Sequence, residues 1–137
     1  MAIYFHSEDI LFPKIKKALL KNWIQKVIQK EQNTVGNINI IFTSDIYLLK
    51  INNEFLNHNY FTDVITFDYT ENLKISGDIF ISIDRVADNA KSLKINTIEE
   101  LNRIIIHGIL HLLGYKDKDN IDKQIMTSKE NTYLELL

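Results

Sequence analysis

His107 and His111 stand one helical repeat apart in the stretch His107-Gly108-Ile109-Leu110-His111-Leu112-Leu113-Gly114-Tyr115-Lys116-Asp117. Residues four apart on an α-helix lie on one face, one turn apart, so the spacing predicts two imidazoles aimed in the same direction. Between Ile104 and Leu113 the two histidines and Gly108 are the only residues that are not Ile or Leu. Polar rings set in so apolar a run need partners. Gly114 can adopt the left-handed backbone that ends a helix, and the reversal that follows would aim Asp117 at the space between the rings. Three such ligands leave a fourth position open, as in a catalytic rather than a structural zinc site. Imidazole with carboxylate suits Zn²⁺, one ion per chain, and also suits Fe²⁺ or another divalent ion. For an isolated His-x3-His pair the alternative is two buried histidines satisfied by backbone carbonyls. The glycine stop and the carboxylate beyond it favour the metal.

The residues His107-Gly108-x-Leu110-His111-Leu112-x-Gly114-Tyr115 resemble the signature of the YbeY-type family of metal-dependent endoribonucleases. Thr62-Asp63-Val64-Ile65-Thr66-Phe67 is similar to the family's Thr-Asp-Val-Leu-Ser-Phe, and Gly77-Asp78-Ile79 to its Gly-Asp-Ile. The resemblance implies an endoribonuclease that cuts single-stranded RNA in 16S rRNA 3′-end maturation and ribosome biogenesis or quality control. Its partners would be ribosomal RNA and components of small-subunit assembly.

Two positions depart from that pattern. The family has a third histidine where this chain has Asp117, and a carboxylate is a sound zinc ligand. The family also has an arginine that would align with Leu56, and no cation replaces it. Asn57, His58 and Asn59 follow and could contact phosphate, or form a plain polar loop.

The protease-type zinc motif places a glutamate directly after its first histidine as general base, and here that position is Gly108. A base must come from elsewhere. Asp63 and Asp78 are candidates through the resemblance, and an Asp at a strand start also commonly caps backbone amides. His58 is a third candidate. His6 has no feature that links it to the site. The spacing of the histidines keeps a zinc metallopeptidase as an alternative, and a non-catalytic ribosome-assembly module with a bound metal is another.

The elements that must position these groups follow from periodicity. Ile3 to Phe5 reads as a strand. Pro13 suits a helix start, and Ile15, Leu19, Trp23 and Val27 with Leu20, Ile24 and Ile28 give that helix an apolar side. Ile38 to Thr43 alternates as a strand, and Ser44 can cap a helix to about Leu56. Thr62 to Asp68 and Asp78 to Ile83 read as strands joined in a hairpin by Tyr69 to Ser76. Asp84 could cap a short helix, Thr97-Ile98-Glu99-Glu100 is a capping box for the histidine-bearing helix, and a last helix spans Asn120 to Leu136. Crossovers among the first three strands allow parallel pairing, with the fourth added antiparallel. The expected fold is α+β, a mixed four-stranded sheet with about five helices in a single domain spanning 1–137, and the metal site at the end of a long helix in the second half.

Composition bounds the rest. At 137 residues the chain can build one hydrophobic core. It has no cysteine, which excludes disulfides and thiolate ligands and fits a reducing cytoplasm. No stretch approaches a membrane span, and the N-terminus lacks the basic and apolar regions of a signal, so a cytoplasmic protein with no membrane partner is expected. A formal net charge of −2 argues against indiscriminate nucleic-acid binding. Any RNA contact must then be local. Lys14, Lys16, Lys17, Lys21, Lys26 and Lys30 fall on the first expected helix, as a basic strip or as a solvated face.

Overall fold

The computed structural model describes residues 2–137. In chain order the elements are β1 (Ala2–Ser7), α1 (Lys17–Lys30), β2 (Thr34–Thr43), α2 (Asp45–Leu56), β3 (Val64–Asp68), β4 (Lys74–Ser82), α3 (Ile83–Leu93), α4 (Thr97–Leu112) and α5 (Asn120–Leu134). One mixed sheet carries them in the order β1-β2-β4-β3. β1 runs parallel to β2 with Ile3 opposite Ile38, and β2 runs parallel to β4 with Ile40 opposite Ile79. β3 is antiparallel to β4, with Thr66 opposite Ile79. The α+β class, the four strands and the five helices agree with the sequence reading.

Several local expectations are corrected. The hairpin forms, but its antiparallel member is β3 and not the fourth strand. β4 carries Ile75, Ile79 and Ile81, all buried, and so takes the interior place between β2 and the short edge strand β3. Helix α1 begins at Lys17 and not at Pro13, which leaves Lys14 and Lys16 ahead of it. At about 100° per residue, Lys17 and Lys21 then fall roughly opposite Lys26 and Lys30, on the two flanks of the buried stripe and not in one strip.

The caps also shift. Ser44 caps α2 as expected, accepting from the Tyr47 amide. Ser82, not Asp84, caps α3 by accepting from the Arg85 amide, while the Asp84 carboxylate accepts from the Asp45 amide at 2.9 Å at the start of α2. Asn96, not Thr97, caps α4 through the Ile98 amide. The Thr97–Glu100 box cannot close, because Glu100 is buried and its carboxylate meets Asn89 at 3.4 Å.

Ile38, Ile40, Phe42, Ile79 and Ile81 line one face of the sheet and join Ile24, Val27 and Ile28 of α1 and Ile105 and Ile109 of α4 in the core. The intervening residues, including Asn39 and Asp78, face the other way, toward the side where α2 packs on β3 and β4. Helix α4 sits unusually close to the sheet. A Cβ at Gly108 would meet Ile79 Cγ2 at 2.7 Å, and one at Gly77 would meet Leu112 Cδ2 at 2.8 Å. Among the described residues no helix is long and apolar enough to cross a membrane.

Candidate metal centre

The C-terminal turn of α4 builds the site. Leu113 leaves the helix, Gly114 follows with φ +103°, and its amide donates to the His111 carbonyl while the Tyr115 amide donates to the Leu110 carbonyl, both at 3.0 Å. This paired return is the Schellman geometry, which turns the chain sharply enough to bring residues just beyond the helix back over its last turn. Asp117 arrives there as expected. His107 Nε2 and His111 Nε2 lie 3.0 Å apart, and Asp117 Oδ2 is 3.2 Å from the first and 3.4 Å from the second. Ligands bonded at zinc's usual lengths in a tetrahedron stand about 3.3 Å from one another.

The other ring nitrogens determine what these atoms offer. His107 Nδ1 meets Glu130 Oε2 at 2.7 Å, and His111 Nδ1 meets the Tyr115 carbonyl at 3.0 Å. A carbonyl or an ionised carboxylate can only accept, so each Nδ1 carries the proton and each Nε2 presents a lone pair. Two lone pairs and a carboxylate oxygen thus converge with no donor among them. A cation satisfies all three, and the donor set fits a divalent ion held by His107, His111 and Asp117.

The two rings differ in how readily a proton competes for Nε2. Burial works to lower His107, but the hydrogen bond and charge of Glu130, with the charges of Asp117 and Asp63, outweigh it and raise the ring above its ordinary value. Burial and the neighbouring charge of His107 hold His111 below its ordinary value. One ring therefore takes a proton readily and the other resists it, as expected of two bases competing for one positive charge.

Behind the rings lies a polar stripe along α4. Glu130, 6% exposed, binds Arg103 Nη1 at 3.1 Å as well as His107. Arg103 Nε lies 3.8 Å from Glu100 Oε1. Glu100, 3% exposed, has that same oxygen without a hydrogen-bond partner, and burial raises its carboxyl despite Asn89 and Arg103. Asn89 Nδ2 also donates to Asp63 Oδ2 at 3.0 Å.

The structure therefore brings Asp63 onto the metal side. Asp78 lies on the opposite face of the sheet, accepting from Asn39 Nδ2 at 3.1 Å. His58 sits in the loop ahead of β3, where its Nδ1 pairs with the Tyr60 hydroxyl at 3.0 Å and its ring stacks on Tyr60. With Leu56, Thr62 and Thr66 it lines a hollow of about 220 Å³ along the edge strand, and that strand packs against α4. Gly108, the place of the peptidase base, faces Ile79 in the core, so nothing can project from it toward the metal ligands.

A sequence model of the family described as Endoribonuclease YbeY matches residues 4–137. The chain belongs to that family. It is 48% identical to a protein named Endoribonuclease YbeY from Parabacteroides distasonis over 137 residues, all of this chain and 96% of the relative. It is 46% identical to another of that name from Cytophaga hutchinsonii over 135 residues, 98% of this chain and 94% of the relative. The solution structure of a Thermotoga maritima protein superposes with a TM-score of 0.69 at 29% identity, covering 97% of this chain and 87% of that one.

Within this YbeY-family chain, sequence reasoning missed Glu130, Arg103, Glu100 and Asn89. A signal for Glu130 was present. Met126, Glu130 and Tyr133 fall on one stripe of α5 and all three are buried, so a carboxylate occupies a core position. Such a group is placed there only with a partner.

Proposed function

We propose that this chain, as a single domain over residues 1–137, cuts single-stranded RNA with one zinc ion held by His107, His111 and Asp117. As a member of the endoribonuclease YbeY family it is a metal-dependent endoribonuclease, an enzyme of rRNA processing. The observation that carries the metal assignment is the convergence of two deprotonated Nε2 atoms and one carboxylate oxygen, each ring fixed from behind by an acceptor. A divalent ion bound there supplies Lewis acidity to the oxygens of a phosphodiester, where charge grows during cleavage.

The chain's own groups do the rest. Glu130 and the Tyr115 carbonyl hold the rings in register, and Asp117, the most exposed of the three, completes the donor set. Asp63 is the candidate for proton transfer, since it alone of Asp63, Asp78 and His58 joins the polar stripe behind the site. Exposed Phe55, Tyr60 and Phe61 next to the His58 hollow offer aromatic faces on which unpaired bases can stack. We place the protein in the cytoplasm, acting on ribosomal RNA in small-subunit assembly, as the family resemblance implies. The peptidase alternative loses support because the base position packs into the core.

Untagged protein should carry close to one zinc per chain and cleave unpaired RNA, with cleavage lost on chelation and restored by Zn²⁺. Cleavage that survives both exhaustive chelation and a His107→Ala, His111→Ala double substitution would overturn the proposal.

A further inference from the structure

We infer that Glu31, at the C-terminal end of α1 and remote in sequence from every metal ligand, is a positioning residue that holds both outer contacts of the metal centre at once. The inference rests on the metal reading above.

Glu31 is the C-cap residue of α1, and its amide is anchored to the Val27 and Ile28 carbonyls. Its carboxylate collects three donors. The Tyr115 hydroxyl donates to Oε1 at 2.5 Å, the Lys129 ammonium to Oε2 at 3.1 Å, and the Tyr133 hydroxyl to Oε2 as well. Tyr115 is the residue whose carbonyl accepts from His111 Nδ1. Lys129 and Tyr133 flank Glu130 on α5, and Glu130 accepts from His107 Nδ1. One carboxylate thus ties down the two segments, loop and helix, that orient the two imidazoles.

The arrangement goes beyond what packing needs. Tyr133 is anchored independently, since its carbonyl accepts from Trp23 Nε1 at 2.7 Å. Tyr115 is fixed at three points, through its amide on Leu110, its carbonyl on His111 and its hydroxyl on Glu31. Of these, the hydroxyl contact is the one that reaches outside the α4 turn, tying the metal loop to α1, while Lys129 of α5 lies over the same ring at 5.6 Å. Asp117 follows two residues later. Burial works against the Glu31 charge, but the two hydroxyls and the ammonium together leave its carboxyl below the ordinary value, so the acceptor is charged at neutral pH. Groups that accept directly from ligating imidazoles typically tune metal affinity by about 10- to 100-fold, and Glu31 acts through two of them.

The test is zinc affinity, measured by competition with a chromophoric chelator on the full chain. Tyr115→Phe removes one hydroxyl and keeps the carbonyl that orients His111. Its dissociation constant should rise about tenfold, with faster exchange of the Tyr115 amide in the metal-free protein. Glu31→Gln should weaken zinc by at least as much. Leu48→Ala on α2, a core truncation away from the hub, serves as the control that costs stability alone and should leave affinity within about twofold. Wild-type affinity and unchanged amide exchange in folded Tyr115→Phe would overturn the inference, and should Glu31→Gln fail to fold, Tyr115→Phe still decides it. Absence of zinc binding by the unsubstituted chain would instead overturn the metal reading on which it rests.

Discussion

Two polar clusters that contain histidine lie on opposite faces of the same sheet, and they differ in how their polar atoms are arranged. On the α4 side, His107 Nε2, His111 Nε2 and Asp117 Oδ2 converge within 3.4 Å of one another. On the other side, His6 Nε2 meets Asn39 Oδ1 at 2.8 Å and Asn39 Nδ2 meets Asp78 Oδ1 at 3.1 Å, a row running across β1, β2 and β4. Both contain an imidazole and a carboxylate, but only the first gathers them around one point. Side chains on neighbouring strands stand side by side at the strand spacing, so they pass hydrogen bonds along a row. A helix turn followed by a reversed chain can point three groups inward. The backbone around the residues, and not the residue types alone, makes one cluster a candidate metal centre and the other a strand-to-strand brace.

The contrast breaks most sharply at the ligands. His107→Ala with His111→Ala should take zinc from one per chain to none by elemental analysis and abolish RNA cleavage. The fold should persist, because α4 keeps Ile105, Ile106, Ile109 and Leu110 in the core. Asp117→Asn should weaken binding, and Asp117→His should preserve it. Full occupancy in the double variant would erase the distinction between the two clusters.

A smaller effect is expected one contact further out. Glu130→Gln keeps the size of the side chain but replaces an acceptor on His107 Nδ1 with a weaker one, and zinc affinity should fall about 10- to 100-fold. His6→Ala, across the sheet, should leave affinity unchanged. Equal losses in the two variants would mean that fold integrity, and not ring orientation, controls binding.

Acid sensitivity separates the faces further. Glu31 has its folded pKa below the ordinary value of 4.5, so it contributes stability that is complete above that value and is lost as pH falls through the folded one. Glu31→Gln lacks this contribution, and its denaturant midpoint should fall less steeply than that of the unsubstituted chain below about pH 4.5. Parallel curves would show that folding does not lower the Glu31 pKa and that its three donors contribute nothing specific to the charged form.

The smallest change is predicted for the brace. Asp78→Asn retains an acceptor for Asn39 and should cost no more than about 1 kcal/mol in denaturant unfolding, with RNA cleavage unchanged. A large loss of cleavage in that variant would return Asp78 to the list of chemical groups and bring the far face of the sheet into the mechanism.

Most of the architecture was legible before any coordinates. The 3.6-residue period of α1, the alternation in β2 and the apolar run of α4 each announce an element, and the candidate ligand triad is written within eleven consecutive residues. Local chemistry reads less well where tertiary contacts compete. Asp84 and the Thr97–Glu100 box look like caps, yet Asp84 turns to the Asp45 amide of a different helix and Glu100 is drawn into the stripe behind the rings. The resemblance paired Asp63 and Asp78 as candidates, and tertiary contacts separated them: Asp63, in the loop just ahead of β3, accepts from Asn89 of α3, while Asp78 within β4 accepts from Asn39 on the far face of the sheet.

The sequence by itself determined the candidate donor set, because i, i+4 spacing and a glycine stop act within two turns of chain, where local backbone geometry brings His107, His111 and Asp117 together. Tertiary structure alone decided which carboxylates stand behind those donors. Glu31 and Glu130 reach the centre from α1 and α5 only after both helices pack on the core, and hydrophobic burial that drives such packing is non-directional, leaving no local pattern that names the polar partners it will bring together.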